Sequence, residues 1–128
     1  NLDVYEGEFL DGMKHGRGQL VLFNGDIYVG EFENNFMHGH GTYNYTSFYN
    51  EEGEMVTGKR FEGDYQNNRM HGRGVFQMGF GEVYSGEFAV GMFHGKGNWK
   101  KRNGDTFVGM FERGKPAGII KATWIEAL

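Results

Sequence analysis

Tyr5-Glu6-Gly7-Glu8-Phe9 is followed, six residues beyond Phe9, by His15-Gly16-Arg17-Gly18. The first block returns as Tyr28-Val29-Gly30-Glu31-Phe32, Phe61-Glu62-Gly63-Asp64-Tyr65, Tyr84-Ser85-Gly86-Glu87-Phe88 and Phe107-Val108-Gly109-Met110-Phe111. The second returns as His38-Gly39-His40-Gly41, His71-Gly72-Arg73-Gly74 and His94-Gly95-Lys96-Gly97, then decays to Ala117-Gly118-Ile119-Ile120. Units starting at 5, 28, 61, 84 and 107 are spaced 23, 33, 23 and 23, so one ten-residue insertion in unit 2, about 46–55, explains the only irregularity. Repetition at this period means an array of one supersecondary unit. Residues 1–128 read as a single array with an atypical last unit, 107–128.

Composition agrees. Glycine supplies 23 of 128 residues, all inside the five units, about two and a half times the usual ~7%. Aromatics reach 16%, apolar area that a disordered glycine-rich tract lacks. Leu and Ala, strong helix formers, are scarce. Thirteen basic against 17 acidic residues, a formal charge of −4, argues against a nucleic-acid binder. Without cysteine there is no disulfide framework and no thiolate metal or redox site. No apolar run reaches the ~18 residues of a membrane helix, and no signal-peptide pattern opens the chain. Asn1 in place of Met reads as an excised piece.

Tyr-x-Gly-x-Phe alternates with period two, the strand signal, and Gly18 to Phe23 is a second β-rich run. Leu10 to His15 reads as a six-residue hairpin loop, and Asn24-Gly25-Asp26 and Asn103-Gly104-Asp105 as tight turns. Each unit is then strand, loop, strand, turn, and ten strands at ~4.8 Å make a sheet roughly 45–50 Å long. Opposite charges select a register that places Glu8 against Arg17, Glu31 against His40, Asp64 against Arg73 and Glu87 against Lys96. It also opposes Tyr5 to Leu20, Tyr28 to Tyr43, Phe61 to Phe76 and Tyr84 to Trp99, and glycine to glycine. One face is aromatic, the other charged.

The pattern Y-x-G-E-[FW]-x-x-G-x-x-x-G-x-G on a 23-residue period resembles the MORN (membrane occupation and recognition nexus) repeat. Departures are Asn35 and Asn68 at a common glycine position, Met110 for the acid, and Ile120 for the last glycine. The resemblance implies an all-β, elongated, single-layer antiparallel sheet of successive hairpins, a twisted, solenoid-like array. It also implies assembly, ciliary or junctional scaffolds, or an accessory array of a larger enzyme, and hence a cytoplasmic, cytoskeletal or cilium-associated setting.

A single layer leaves aromatic surface open, and such surface marks binding. The expected partner groove is Tyr5, Tyr28, Phe32, Tyr43, Phe61, Tyr65, Phe76, Tyr84, Phe88, Trp99 and Phe107, holding a helical or extended protein segment that approaches backbone over the glycines. The insertion is expected to protrude as a hairpin flap with Phe48, Tyr49 and Met55 near its tip. Lys100, Lys101 and Arg102 are the candidate lipid-contact residues; three cations supply only ~3 kcal/mol at an anionic leaflet. Catalysis finds no support. His15, His38, His71 and His94 fall ~9–10 Å apart along the array, too far to share a metal, and each is expected to close its loop through a ring N–H. No nucleophile motif or phosphate loop is present, so no enzyme, cofactor or metal is expected. The outermost strands offer unpaired backbone for capping or self-association.

Overall fold

The computed structural model describes residues 2–125; the end of the expected last unit, 126–128, lies outside the described residues. The strands are β1 Val4–Leu10, β2 Met13–Val21, β3 Ile27–Glu33, β4 Phe36–Asn44, β5 Phe48–Tyr49, β6 Met55–Val56, β7 Arg60–Gln66, β8 Arg69–Gly79, β9 Glu82–Ala89, β10 Met92–Lys100, β11 Thr106–Glu112 and β12 Lys115–Thr123. Ten of them form one open antiparallel sheet in the order β1-β2-β3-β4-β7-β8-β9-β10-β11-β12; β5 and β6 form a separate two-stranded ribbon. The fold is a single-layer array of five successive hairpins.

The expected register holds for the aromatics and glycines. Tyr5 opposes Leu20, Tyr28 opposes Tyr43, Phe61 opposes Phe76 and Tyr84 opposes Trp99. Gly7 opposes Gly18, Gly30 opposes Gly41, Gly63 opposes Gly74 and Gly86 opposes Gly97.

The loop and the ion pairs differ from expectation, for one reason. The hairpin turn has two residues, not six. Asp11-Gly12, Asn34-Asn35, Asn67-Asn68, Val90-Gly91 and Arg113-Gly114 all have positive φ, the geometry that matches strand twist. The surplus residues pass into a bulge, where the register jumps from Gly7/Gly18 to Phe9/Lys14 and likewise in units 2 to 4. Inside that bulge the acid at the fourth position accepts the backbone N–H opposite it instead of pairing with the side chain. Glu8 bonds Arg17 N at 3.1 Å, Glu31 bonds His40 N at 2.6 Å, Asp64 bonds Arg73 N at 3.1 Å and Glu87 bonds Lys96 N at 2.6 Å. The basic side chains face the next unit's acid: Arg17 opposes Glu31, His40 opposes Asp64 and Arg73 opposes Glu87. The histidine rings do not close the turns among the described residues. His38 Nε2 instead lies 3.4 Å from Glu33, and the strand pairs Leu10–Met13 and Glu33–Phe36 flank the turns directly.

Successive turns are stitched together. Asn35 N–H donates to the Lys14 carbonyl (3.0 Å) and its side-chain oxygen accepts from Lys14 N–H (2.9 Å). Asn68 does the same with Met37 at 3.0 and 2.8 Å. Gly91 and Gly114 make only the backbone bond, to Met70 and Phe93. The two asparagines that depart from the repeat pattern thus each add a bond between units.

The core lies within the layer. In units 1 to 4 each opening aromatic meets the fifth residue of its own unit and of the next, edge to face. The chain of rings runs Phe9, Tyr5, Phe32, Tyr28, Tyr65, Phe61, Phe88, Tyr84, Phe111, with centroids 4.9–5.3 Å apart and planes at 80–89°. Each such contact adds ~0.5–1.5 kcal/mol beyond its burial. The rings lie across the glycines: a Cβ at Gly18, Gly41, Gly74 or Gly97 would overlap the ring of Tyr5, Tyr28, Phe61 or Tyr84. Glycine is required there because an aromatic ring occupies the place of its side chain.

Candidate interaction site

The ladder changes which aromatics a partner can touch. Tyr28, Phe61 and Tyr84 have no accessible surface, and Phe32, Tyr65 and Phe88 keep 3–5%. These six expected groove residues are the floor of the aromatic face and its core, not its contact surface. The glycines are likewise covered on this side by the chain's own rings, which leaves no room for a partner backbone. Single-layer geometry misled the sequence reading here, because rings lying flat along the sheet bury one another without a second layer.

What stands above the floor are two rows of half-buried side chains. Leu20, Tyr43, Phe76 and Trp99 come from the second strand of each unit, opposite the opening aromatic. Met37, Met70 and Phe93 oppose the fifth residue, as Lys14 does in unit 1. Between the rows runs a trough. It holds a cleft of about 300 Å³ lined by Met37, Tyr43, Tyr45, Tyr65, Arg69 and Met70. Of the expected groove residues, Tyr5, Tyr43, Phe76, Trp99 and Phe107 remain partly accessible.

Two wall aromatics are held by their polar edges. Tyr43 O–H donates to Asp26 at 2.7 Å, and Trp99 Nε1–H donates to Glu82 at 2.8 Å. Asp26 and Glu82 each stand two residues before an opening aromatic, a coincidence of spacing that the sequence reading missed. The aspartates at this position also capture a backbone N–H twenty residues on: Asp3 that of Phe23, Asp26 that of Thr46 and Asp105 that of Ile125, at 2.7–2.8 Å. Asp-twenty-residue spacing after each Asn-Gly-Asp turn was the available signal. Burial together with the Asp26 carboxylate pushes the Tyr43 phenol far up, so it stays a donor; burial raises Tyr28 and Tyr65 in the same way and Tyr84 to about 12.

The insertion does not protrude. Instead of a long hairpin from Thr42, β4 stops at Asn44 and residues 45–59 fold back as a strap against the later units. Val56 is buried and would meet any side chain placed at Gly79. Tyr45 stacks on Phe76 at 6.1 Å, and Lys59 Nζ lies 4.6–5.6 Å from the rings of Tyr45, Phe48 and Phe76. At the far end Glu54 takes both terminal nitrogens of Arg102, at 2.9 and 2.7 Å, while Arg102 lies over Phe80 at 3.8 Å. The Arg102 fork and the Asn50 amide hold the Glu54 carboxyl at about 2. Phe48, Tyr49 and Met55 remain exposed, although Phe48 opposes the buried Val56 across the ribbon.

The same latch divides the basic run. Arg102 is engaged by Glu54, Lys101 Nζ lies 5.6 Å from the Trp99 ring, and Lys100 stands on the polar face in the strand row of Arg60 and Gln77. The three cations that the sequence places side by side point three ways.

The opposite face carries a larger cleft, about 450 Å³, with His40, Glu62, Asp64, Arg73 and Ser85 around bare glycine backbone. Its charges answer one another: His40 lies 3.6 Å from Asp64 and 3.8 Å from Glu62, and Arg60 lies 3.5 Å from Glu62.

The MORN repeat family matches residues 5–27, 28–47, 61–79 and 84–106. These segments make up more than half of the chain, which therefore belongs to the MORN repeat family. MORN repeats generally mediate protein or membrane interactions, and proteins built from them are typically non-catalytic interaction modules. Among curated proteins none matches the chain.

Proposed function

We propose that this chain is a non-catalytic scaffold that holds a helical or extended segment of a partner protein in the aromatic trough. The setting we infer is a cytoplasmic cytoskeletal or ciliary assembly, on the strength of the family resemblance. One observation carries the binding reading: Tyr43, Phe76, Trp99, Met37 and Met70 stand partly open above a floor already fully packed. Aromatic anchors of this kind, rigid and half-desolvated, dominate interface energetics. The membrane alternative draws less support, because the basic run is split between a latch, an aromatic wall and the polar face.

Face-specific photo-crosslinking tests the reading. A photoreactive residue at Phe76 samples the trough, and one at Val75, exposed on the opposite face, samples the other side. Capture of a discrete protein from the Phe76 position, lost in Tyr43→Ala/Trp99→Ala with unchanged circular dichroism, is the expected result. Capture from Val75 alone would move the site to the charged face.

A further inference from the structure

From the distribution of unpaired charge around the trough, and resting on the trough reading above, we infer that the partner segment is acidic. It would carry apolar residues for the trough and carboxylates for its rims. The chain as a whole carries −4, so its surface on average disfavours an acidic partner, yet its charges are not evenly spread. Glu31, Asp64 and Glu87 line the polar face, each opposite a basic residue of the neighbouring strand. Three acids beside the aromatic rows are occupied: Asp26 by Tyr43 and Thr46, Glu82 by Trp99, and Glu54 by Arg102 and Asn50.

Apart from Arg102, four cations on the aromatic side have no such answer. Lys14 Nζ lies 5.7 Å from the Tyr5 ring, Lys59 lies over Tyr45, Phe48 and Phe76, Lys101 lies beside Trp99, and Arg69 lines the cleft between Met37 and Met70. Among the described residues none of these four lies within 4.0 Å of a carboxylate; the ion pairs there involve His38, His40, Arg60 and Arg102. Each cation–π contact keeps its ammonium at the trough instead of out in solvent. A carboxylate on a bound segment meets those donors at the rim, while an apolar side chain between carboxylates reaches Tyr43, Phe76 or Trp99. The cations are spread along the aromatic face, from Lys14 in β2 to Lys101 just after β10, rather than gathered on one projecting tip, and this favours a peptide over a bilayer surface.

The test uses three labelled 18-residue amphipathic peptides with the same Leu/Phe face and with Glu, Gln or Lys at the flanking positions. Anisotropy is read against the intact chain at low and high salt. The expected order is Glu tightest, Gln intermediate and Lys weakest, with the Glu peptide alone weakening as salt rises. Lys59→Glu/Lys101→Glu is expected to weaken the Glu peptide by roughly tenfold or more and to tighten the Lys peptide, since rim charges act on both attraction and rejection. Lys101→Glu, which leaves the strap untouched, is expected to move both in the same directions by a smaller factor. Equal binding of all three peptides, lost in Tyr43→Ala/Trp99→Ala, would overturn the acidic assignment and leave the trough standing. Binding of the Glu peptide that survives Tyr43→Ala/Trp99→Ala would overturn the trough itself. Failure of all three peptides, or chain that floats with vesicles of 30% phosphatidylserine while ignoring the peptides, would overturn the proposal.

Discussion

Gly97→Ala isolates the interaction on which the layer's stability rests. The backbone at Gly97 is ordinary strand, so alanine meets no dihedral penalty there, but its Cβ would overlap the ring of Tyr84. Tyr84 is fully buried, edge-on to Phe88 and Phe111, stacked on Phe93 at 3.8 Å, and its hydroxyl donates to the Glu87 carbonyl at 2.8 Å. The ring has no free side to move to. Overpacking of this kind costs about 1–3 kcal/mol, and loss of the hydroxyl bond adds about 1 kcal/mol. A stiffer unfolded chain returns ~0.4–1 kcal/mol. The net expectation is a loss of about 1–3.5 kcal/mol in urea unfolding followed by far-UV circular dichroism. Gly118→Ala is the control. Its new Cβ meets only Met110 Cβ at 3.7 Å, so it is expected to be neutral or slightly stabilising. In a Tyr84→Ala background the cost of Gly97→Ala should disappear, as a coupled pair requires. A cost below ~0.5 kcal/mol for Gly97→Ala, or the same cost with and without the Tyr84 ring, would refute the ring-over-glycine account.

Val90 holds φ +51° at an exposed turn where Asn or Asp stands in units 1 to 3, so Val90→Asn is expected to raise stability by about 1 kcal/mol, read as a higher thermal midpoint. Asn68→Gly keeps the turn but removes the acceptor of Met37 N–H; hydrogen exchange at Met37 should accelerate while Lys14, bonded to Asn35, is unchanged. With its carboxyl held at about 2, Glu54 favours the latched strap above the ordinary carboxylate range, and that contribution is lost as pH falls through about 2. Exchange protection across residues 45–59 should therefore be full above the ordinary carboxylate pKa of 4.5, weaken progressively below it, and be reduced in Glu54→Gln with that pH dependence gone. Burial raises the phenols of Tyr28, Tyr43, Tyr65 and Tyr84 above the usual 10, so their stabilisation is full below pH 10 and is lost as pH rises beyond it. Stability should decline from pH 10 upward, with absorbance at 295 nm showing these tyrosines ionising only on unfolding.

Much of the architecture was legible in the chain because its information is local and repeated. The 23-residue period, the alternation in Tyr28-Val29-Gly30-Glu31-Phe32 and the pairing of Tyr28 with Tyr43 all follow from side-chain period and from types recurring at equal offsets. The ten-residue insertion was equally visible, and so were the exposed Phe48, Tyr49 and Met55 within it. Turn length was less legible. Asp11-Gly12 and His15-Gly16 both suggest φ > 0, and only the paired strands decide that the first is the turn and the second the bulge.

What the tertiary structure alone decided concerns distance and direction. Sequence placed aromatics and glycines on one face, but whether the rings stand outward or lie flat depends on neighbours 27 to 37 residues away, such as Tyr28 against Tyr65 and Tyr84 against Phe111. Lying flat made a core of six of the residues expected at the contact surface and left Tyr43, Phe76 and Trp99 partly open. The pairing of Glu54 with Arg102 joins residues 48 apart, and no repeat or period encodes it. Periodicity specifies an element and its faces, since those depend on a residue's immediate neighbours. Burial and ion pairing depend on which atoms the folded sheet brings within a few ångströms, and those contacts exist only once the units have stacked.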